Sequence, residues 1–447
     1  MEESLMKIEI SMRFPAWFFC VSMALGAVLA APSSALAQDR GGEDALDPQS
    51  LCPAVRTIAV SGTFSKPNAE WVFCIPDPAF GRANGILVAY AHGTVKITEA
   101  GGSIEAITDE LEQLSGASIQ GLLTQLGFSF GVVARSKTGL SVLEGIDETK
   151  RLVDLYKEEI FPKYFCQPTN GCPPPPAPPQ PLAYVVGASQ GGLIATLLNE
   201  GDEDESFTGT MAVCAPHGKF RAQVRYLMNF ALFFDYFFRD QFAQPLLTKR
   251  GGKPHVPQRI IDNWETGANY KQDIANVISS PAQADALSQA LRCARVPSEE
   301  GNQVDTAMKL VEDSFLRIND AIQTLGGNPT GNWNRIFSCS DNPLRLNFGI
   351  KRFRTDSAAV DTLNTFYETT GALRTPEVAL HNVTDPGVPF WHELIYWWKT
   401  VLSQSNAHFT VTPLPGFGHC EVEPKEAVLA FAELIQKTLG SKSPANE

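Results

Sequence analysis

The residues best suited to chemistry lie in Leu182-Ala183-Tyr184-Val185-Val186-Gly187-Ala188-Ser189-Gln190-Gly191-Gly192. There Gly187-x-Ser189-x-Gly191 ends an apolar, strand-like run and opens a helical one. A serine on so sharp a turn is forced outward at the end of a sheet, and small flanking residues let the strand and helix backbones approach. The helix N-terminus behind it offers free N–H groups and a positive dipole end to developing negative charge. A neutral serine hydroxyl is a poor nucleophile and needs a base that is itself oriented by a carboxylate. Of the seven histidines, His92, His217, His381 and His408 sit in or beside strands, His255 falls in the long insertion between strands, and His392 is on a helix. Only His419 lies in a Gly-rich loop, Pro415-Gly416-Phe417-Gly418-His419-Cys420, between the final strand and the last helix. It is the expected base.

Asp385 is the expected carboxylate, because it stands where the strand Val378–Val383 runs into the turn Asp385-Pro386-Gly387. Turn initiation alone would also account for an Asp there. Asp235 and Asp240 lie on a helix instead, and Asp356 and Asp361 precede the strand. An acyl-transfer site must also hold an oxyanion. The backbone N–H of Gln190 is one expected donor. The second should come from the turn His92-Gly93-Thr94, with Thr94 N–H preferred to that of Gly93 and His92 shaping the turn.

Positioning these groups requires a sheet. Thr57–Val60 and Trp71–Phe73 read as an antiparallel pair. Buried-strand runs follow at 85–90, 128–134, 182–186 and 208–215, separated by helical spacings at 119–126, 142–160 and 192–199. Strands alternating with helices imply a parallel sheet covered on both faces. After Pro216 the alternation stops for about 160 residues, too long for an unstructured loop in a compact domain, so an inserted subdomain is expected. Tyr226, Phe230, Phe233, Phe234 and Phe237 form one helical stripe within it. The stripe reads either as the insertion's own core or as a roof over the site. In the second reading Phe230, Phe234 and Phe237, with Trp391 after the acid loop, line a pocket for apolar groups. Strands resume at 377–380 and 408–411, before a C-terminal helix.

In this order the nucleophile, acid and base resemble those of the α/β-hydrolase fold superfamily, serine-nucleophile branch. The likeness covers roughly residues 57–440. It implies a mostly parallel eight-stranded sheet with helices on both faces, an inserted helical cap, and hydrolysis through an acyl-enzyme without a cofactor. The expected organisation is a signal peptide over 1–37, core segments over 38–216 and 377–447, and a mainly helical cap over 217–376. A carboxylic-ester hydrolase is the leading expectation. An exported aminopeptidase of the same fold would need a cap acid such as Glu299, Glu300 or Asp305. A binding protein that keeps the fold without catalysis is the third reading.

The chain has 447 residues, 44% of them hydrophobic, which excludes disorder or a coiled coil as the main architecture. Its net charge is −13 and it contains no Lys/Arg cluster, so nucleic acid is not an expected partner. Lys7, Arg13, the apolar run 16–31 and Ala35-Leu36-Ala37 form an export signal with cleavage expected before Gln38, leaving a soluble periplasmic or secreted protein. Stable membrane association is not expected, because charges interrupt the aromatic stripe and its polar face is not basic. Beyond Cys20, eight cysteines remain, an even number that in an exported chain suggests disulfides. Proximity pairs Cys52 with Cys74, Cys166 with Cys172 and Cys293 with Cys339. Cys214 and Cys420 either pair or stay buried thiols, and their spacing fits no zinc site. The run Pro173–Pro179 reads as an exposed polyproline connector.

Overall fold

The computed structural model describes residues 51–52, 56–80, 83–99, 101–113, 119–165, 181–299 and 301–441. The expected signal segment, the Cys166–Cys172 loop and the Pro173–Pro179 run lie outside them. The strands are β1 (Thr57–Ser65), β2 (Asn68–Pro76), β3 (Leu87–Ala91), β4 (Ser129–Val133), β5 (Ala183–Ala188), β6 (Gly209–Val213), β7 (Thr248–Arg250), β8 (Lys253–His255), β9 (Glu377–Thr384) and β10 (Phe409–Phe417). The helices that matter below are α1 (Val142–Leu155), α2 (Gln190–Glu200), α3 (Phe220–Phe238), α4 (Ala284–Ala294), α5 (Gln303–Ser314), α6 (Trp391–Leu402) and α7 (Pro424–Ser441).

Eight strands form one sheet in the order β1-β2-β4-β3-β5-β6-β9-β10. The β1–β2 and β2–β4 pairs are antiparallel and the remaining pairs parallel. Only β2 therefore runs against the other seven. Alternate residues of the apolar runs face opposite sides, as the two-residue strand period requires. Leu87, Ala89, Ala183 and Val185 pack with Leu152 of α1 and Leu193 and Ile194 of α2. Val88, Tyr90, Tyr184 and Val186 pack on the other face with Phe431 and Leu434 of α7. Both faces are thus buried under helices, which is why these strands read as continuous apolar runs.

The segment between β6 and β9 builds a core of its own. Phe230, Phe233, Phe234 and Phe238 of α3 pack with Leu287 and Leu291 of α4 and with Leu310 of α5. It is not wholly helical. β7 and β8 form an antiparallel hairpin joined by Gly251 and Gly252, both at positive φ (57° and 79°), the geometry a two-residue hairpin turn demands. Strands this short carry too little alternation to register in the sequence. Disulfides join Cys52 to Cys74 and Cys293 to Cys339, as their proximity suggested, and Cys214 to Cys420. No helix among the described residues is long and apolar enough to cross a membrane.

Candidate active site

Ser189 sits between β5 and α2 with φ 54° and ψ −120°, a strained conformation for a residue with a side chain. Its N–H donates to Val213 O of β6 (2.8 Å), which ties the turn to the neighbouring strand. A side chain at 187 would strike the backbone of Gly191, and one at 191 would strike the carbonyls of Ala91 and His92. Glycine at both positions is therefore a packing requirement.

The structure brings Ser189, His419 and Asp385 together. Ser189 Oγ lies 3.0 Å from His419 Nε2, and His419 Nδ1 lies 2.7 Å from Asp385 Oδ2. Asp385 also serves its turn, because its Oδ1 accepts the N–H groups of Gly387 (2.7 Å) and Val388 (2.9 Å). Oδ1 thus serves the turn while Oδ2 faces His419, with His381 Nε2 also 3.4 Å from Oδ2. Gly387 belongs to that turn: a Cβ there would come within 3.0 Å of the His419 ring. Burial opposes charge on Asp385, yet His419 and His381 beside it outweigh burial and hold its carboxyl below the usual range. Burial likewise disfavours a charged His419, but Asp385 outweighs it and raises the imidazole above its ordinary value.

Cys420, next to His419, is bonded to Cys214 at the end of β6, so a covalent tie anchors the loop that carries His419. The sulfurs and an imidazole nitrogen of His419 lie within 4.8 Å of one another, but the cystine bond uses both thiols and leaves no thiolate for a metal.

The two expected oxyanion residues, Gln190 and Thr94, both line a cavity of about 690 Å³ that also contains Ser189 and His419. Gly93 N–H donates to Glu110 Oε1 (2.6 Å), so that amide is already engaged. Three side chains fix this turn. Buried Arg135 donates to the carbonyls of His92 (2.6 Å) and Gly93 and, through Nε, to Ser141 Oγ (2.9 Å). Glu110 Oε1 accepts Tyr90 O–H (2.7 Å) as well as Gly93 N–H. The Gln190 side chain accepts from Ser141 N and Oγ (3.1 Å each) and donates to Gly139 O (3.1 Å) and Thr94 Oγ1 (3.2 Å). The Gln190 side chain therefore staples both expected oxyanion elements to the loop after β4. Arg135 had left a trace in the sequence, a charged residue directly after an apolar strand run. Glu110 and the side-chain role of Gln190 leave none.

Of the two readings of the aromatic stripe, the structure has the insertion's own core, and the pocket expected from the other reading is lined by different residues. Phe230 and Phe234 are fully buried in the insertion's own core, and Phe237 packs against it. Trp391 stacks on the His392 ring (4.0 Å between centroids) and is not among the cavity's lining residues. α3 does cover the site, but through its N-terminal half: Phe220, Gln223, Val224, Leu227 and Met228 line the cavity. A 19-residue helix has room for two apolar faces, and the more aromatic one went to the core. Gln223 Nε2 also donates to Gly387 O (2.8 Å) and Tyr226 O–H to Pro386 O (2.6 Å), so α3 clamps the turn that bears Asp385. Neither Glu299 nor Asp305 lines the cavity, and Glu300 lies outside the described residues.

No family model and no curated protein sequence matches this chain. Among solved structures it is similar to an acylaminoacyl peptidase from Pyrococcus horikoshii at 9% identity and TM-score 0.40, over 88% of this chain and 43% of that one. The chain thus spans less than half the length of that peptidase. It is also similar to feruloyl esterase B from Aspergillus oryzae, at 12% identity and TM-score 0.44, over 87% of this chain and 81% of the other. A third similar structure is the Pyrococcus furiosus esterase Pf2001, at 11% identity and TM-score 0.41, over 88% and 94%. With seven of eight sheet strands co-directional, Ser189 at the β5–α2 turn, and Asp385 and His419 after β9 and β10, the chain has the α/β-hydrolase fold.

Proposed function

We propose that the protein is an exported serine hydrolase that cleaves carboxylic esters through an acyl-enzyme. The observation that carries this reading is the hydrogen-bonded series Ser189–His419–Asp385, at 3.0 and 2.7 Å, opening on a cavity. Ser189 Oγ attacks the ester carbonyl carbon while His419 Nε2 takes the hydroxyl proton, and Asp385 holds the imidazolium. The amides of Gln190 and Thr94 receive the oxyanion. Collapse of the tetrahedral species breaks the ester C–O bond, and His419 gives its proton to the departing alcohol. Water then enters by the same route and releases the carboxylic acid. Phe220, Val224, Leu227, Met228 and Ile318 give the cavity an apolar wall, which supports substrates with an apolar or aryl group on the acyl or alcohol side. Export is supported by the signal-like N-terminal sequence and by three cystines among the described residues, a bond that persists in oxidising compartments. Ser189→Ala should abolish hydrolysis of short p-nitrophenyl esters, and activity surviving that change would refute the assignment.

One observation favours a second substrate class, esters or amides of amino acids. Glu110 lines the cavity, and only its Oε1 is engaged by Tyr90 and Gly93 among the described residues, leaving Oε2 for a substrate ammonium. Glu110→Gln keeps an acceptor for both partners and removes the charge. It should cut turnover of an aminoacyl anilide far more than that of an uncharged aryl ester, whereas equal loss on both substrates removes this reading.

A further inference from the structure

Behind Asp385 the buried polar chain continues away from the cavity. His381 Nδ1 lies 2.7 Å from Glu393 Oε1, and its Nε2 lies 2.7 Å from the carbonyl oxygen of Val388. The same Nε2 is 3.4 Å from Asp385 Oδ2. Glu393 in turn meets His217 Nε2 through Oε2 (3.0 Å), and His217 Nδ1 lies 3.6 Å from Glu377. Every one of these side chains is buried.

Hydrogen-bond roles constrain the protons. A carbonyl oxygen only accepts, so His381 Nε2 carries a hydrogen, and a Glu393 carboxylate at Nδ1 requires a second one. Two other buried histidines have the opposite arrangement. His92 accepts Arg135 N–H at Nε2 and faces Gly93 O through Nδ1, while His392 accepts Gly218 N–H at Nδ1 and faces Gln223 Oε1 through Nε2. Each has one donor and one acceptor as partners and is satisfied when neutral. His381 has an acceptor on either side. Placing its second proton on Glu393 instead would satisfy the same contacts but leave Asp385 a buried anion facing His419 alone.

We propose that His381 is a positioning residue for hydrolysis, a buried imidazolium that holds Asp385 from behind and makes His419 a weaker base than an unshared Asp385 would. This proposal rests on the serine-hydrolase reading. The charged and titratable groups around His381 are Asp385 on its own β9 turn, Glu393 and neutral His392 on α6, and His419 on the loop after β10. His217 and Glu377 lie beyond Glu393, and the Phe390 ring meets His381 edge-on. Burial works against its charge, yet Asp385 and Glu393 carry it up to about 10, and the two imidazoles bring buried Glu393 down to about 2.

Two measurements test the proposal on the full chain. Nitrogen-detected NMR of the histidine-labelled protein should show His381 protonated on both nitrogens throughout pH 6–9, and one bare nitrogen at pH 7 would overturn it. In His381→Gln, and independently in Glu393→Gln, the acid limb of kcat/KM should move up by on the order of one pH unit, because His419 becomes the stronger base. A uniform loss of rate with the limb unmoved, or a downward shift, would mean His381 only fills space and would overturn the proposal. Should both variants fail to fold, the proton count still decides. Loss of the triad reading is seen separately, as ester hydrolysis that survives Ser189→Ala.

Discussion

Gln190 supports the two amides assigned to the oxyanion while its side chain does no chemistry, so truncating it should separate positioning from binding. In Gln190→Ala, Ser141 N–H and Gly139 C=O, both buried, lose their partner and Thr94 loses its tie. Each unsatisfied group costs about 1–3 kcal/mol. Because the cavity adjoins the site, water can take over part of that role, so a net stability loss of about 2 kcal/mol is expected. The catalytic cost has a ceiling, since losing one oxyanion donor outright costs about 10²–10³ in rate. A displaced Thr94 amide should therefore lower kcat by about 10- to 100-fold, with KM for a small p-nitrophenyl ester changed by no more than about twofold. Steady-state kinetics at the pH plateau would measure this, with thermal denaturation to confirm that the variant is folded. A folded Gln190→Ala enzyme with unchanged kcat would refute the stapling argument. A raised KM alone would mean that Gln190 contacts substrate.

The cystines should divide by function. Removing the Cys214–Cys420 bridge, which closes a 206-residue separation, loses up to about 5 kcal/mol by loop entropy and should also lower kcat by loosening His419; removing Cys293–Cys339, at a separation of 46, should lower Tm and leave kcat intact. Equal kcat in the two double-alanine variants would refute the anchoring role. Stability should also fall in alkali. His381 and His217 are raised to about 10 and about 9, above an unfolded value of about 6.5, so their contribution is full below pH 6.5 and disappears as pH rises through 9 to 10. A Tm profile that stays flat to about pH 10.5 would contradict the charged network, and His381→Gln should flatten the decline.

The sheet and the three side chains that meet at its end could be read from sequence because each signal is local. Buried parallel strands are apolar runs, an elbow is a strand, a turn and a helix in eleven residues, and His419 stands alone in a glycine loop. What escaped was either non-local or ambiguous in phase. His217, His381 and Glu393 lie on three separate elements, and each on its own resembles an ordinary buried polar residue. The stripe of α3 has the period of an apolar face without saying what that face meets, so Phe230, Phe234 and Phe237 read either as the insertion's core or as a wall of the site; they belong to the core, and Phe220, Val224, Leu227 and Met228 line the cavity. Sequence alone does not pair Cys214 with Cys420, because nothing local links a strand end to a loop 206 residues later.

The central claim is that Ser189 is a nucleophile activated by His419, and covalent labelling tests it most directly. Treated with a fluorophosphonate, the native chain should carry one adduct, on the peptide containing Ser189, with none in Ser189→Ala and strongly slowed labelling in His419→Ala. An unlabelled native protein, or an adduct on a different residue, would contradict the account.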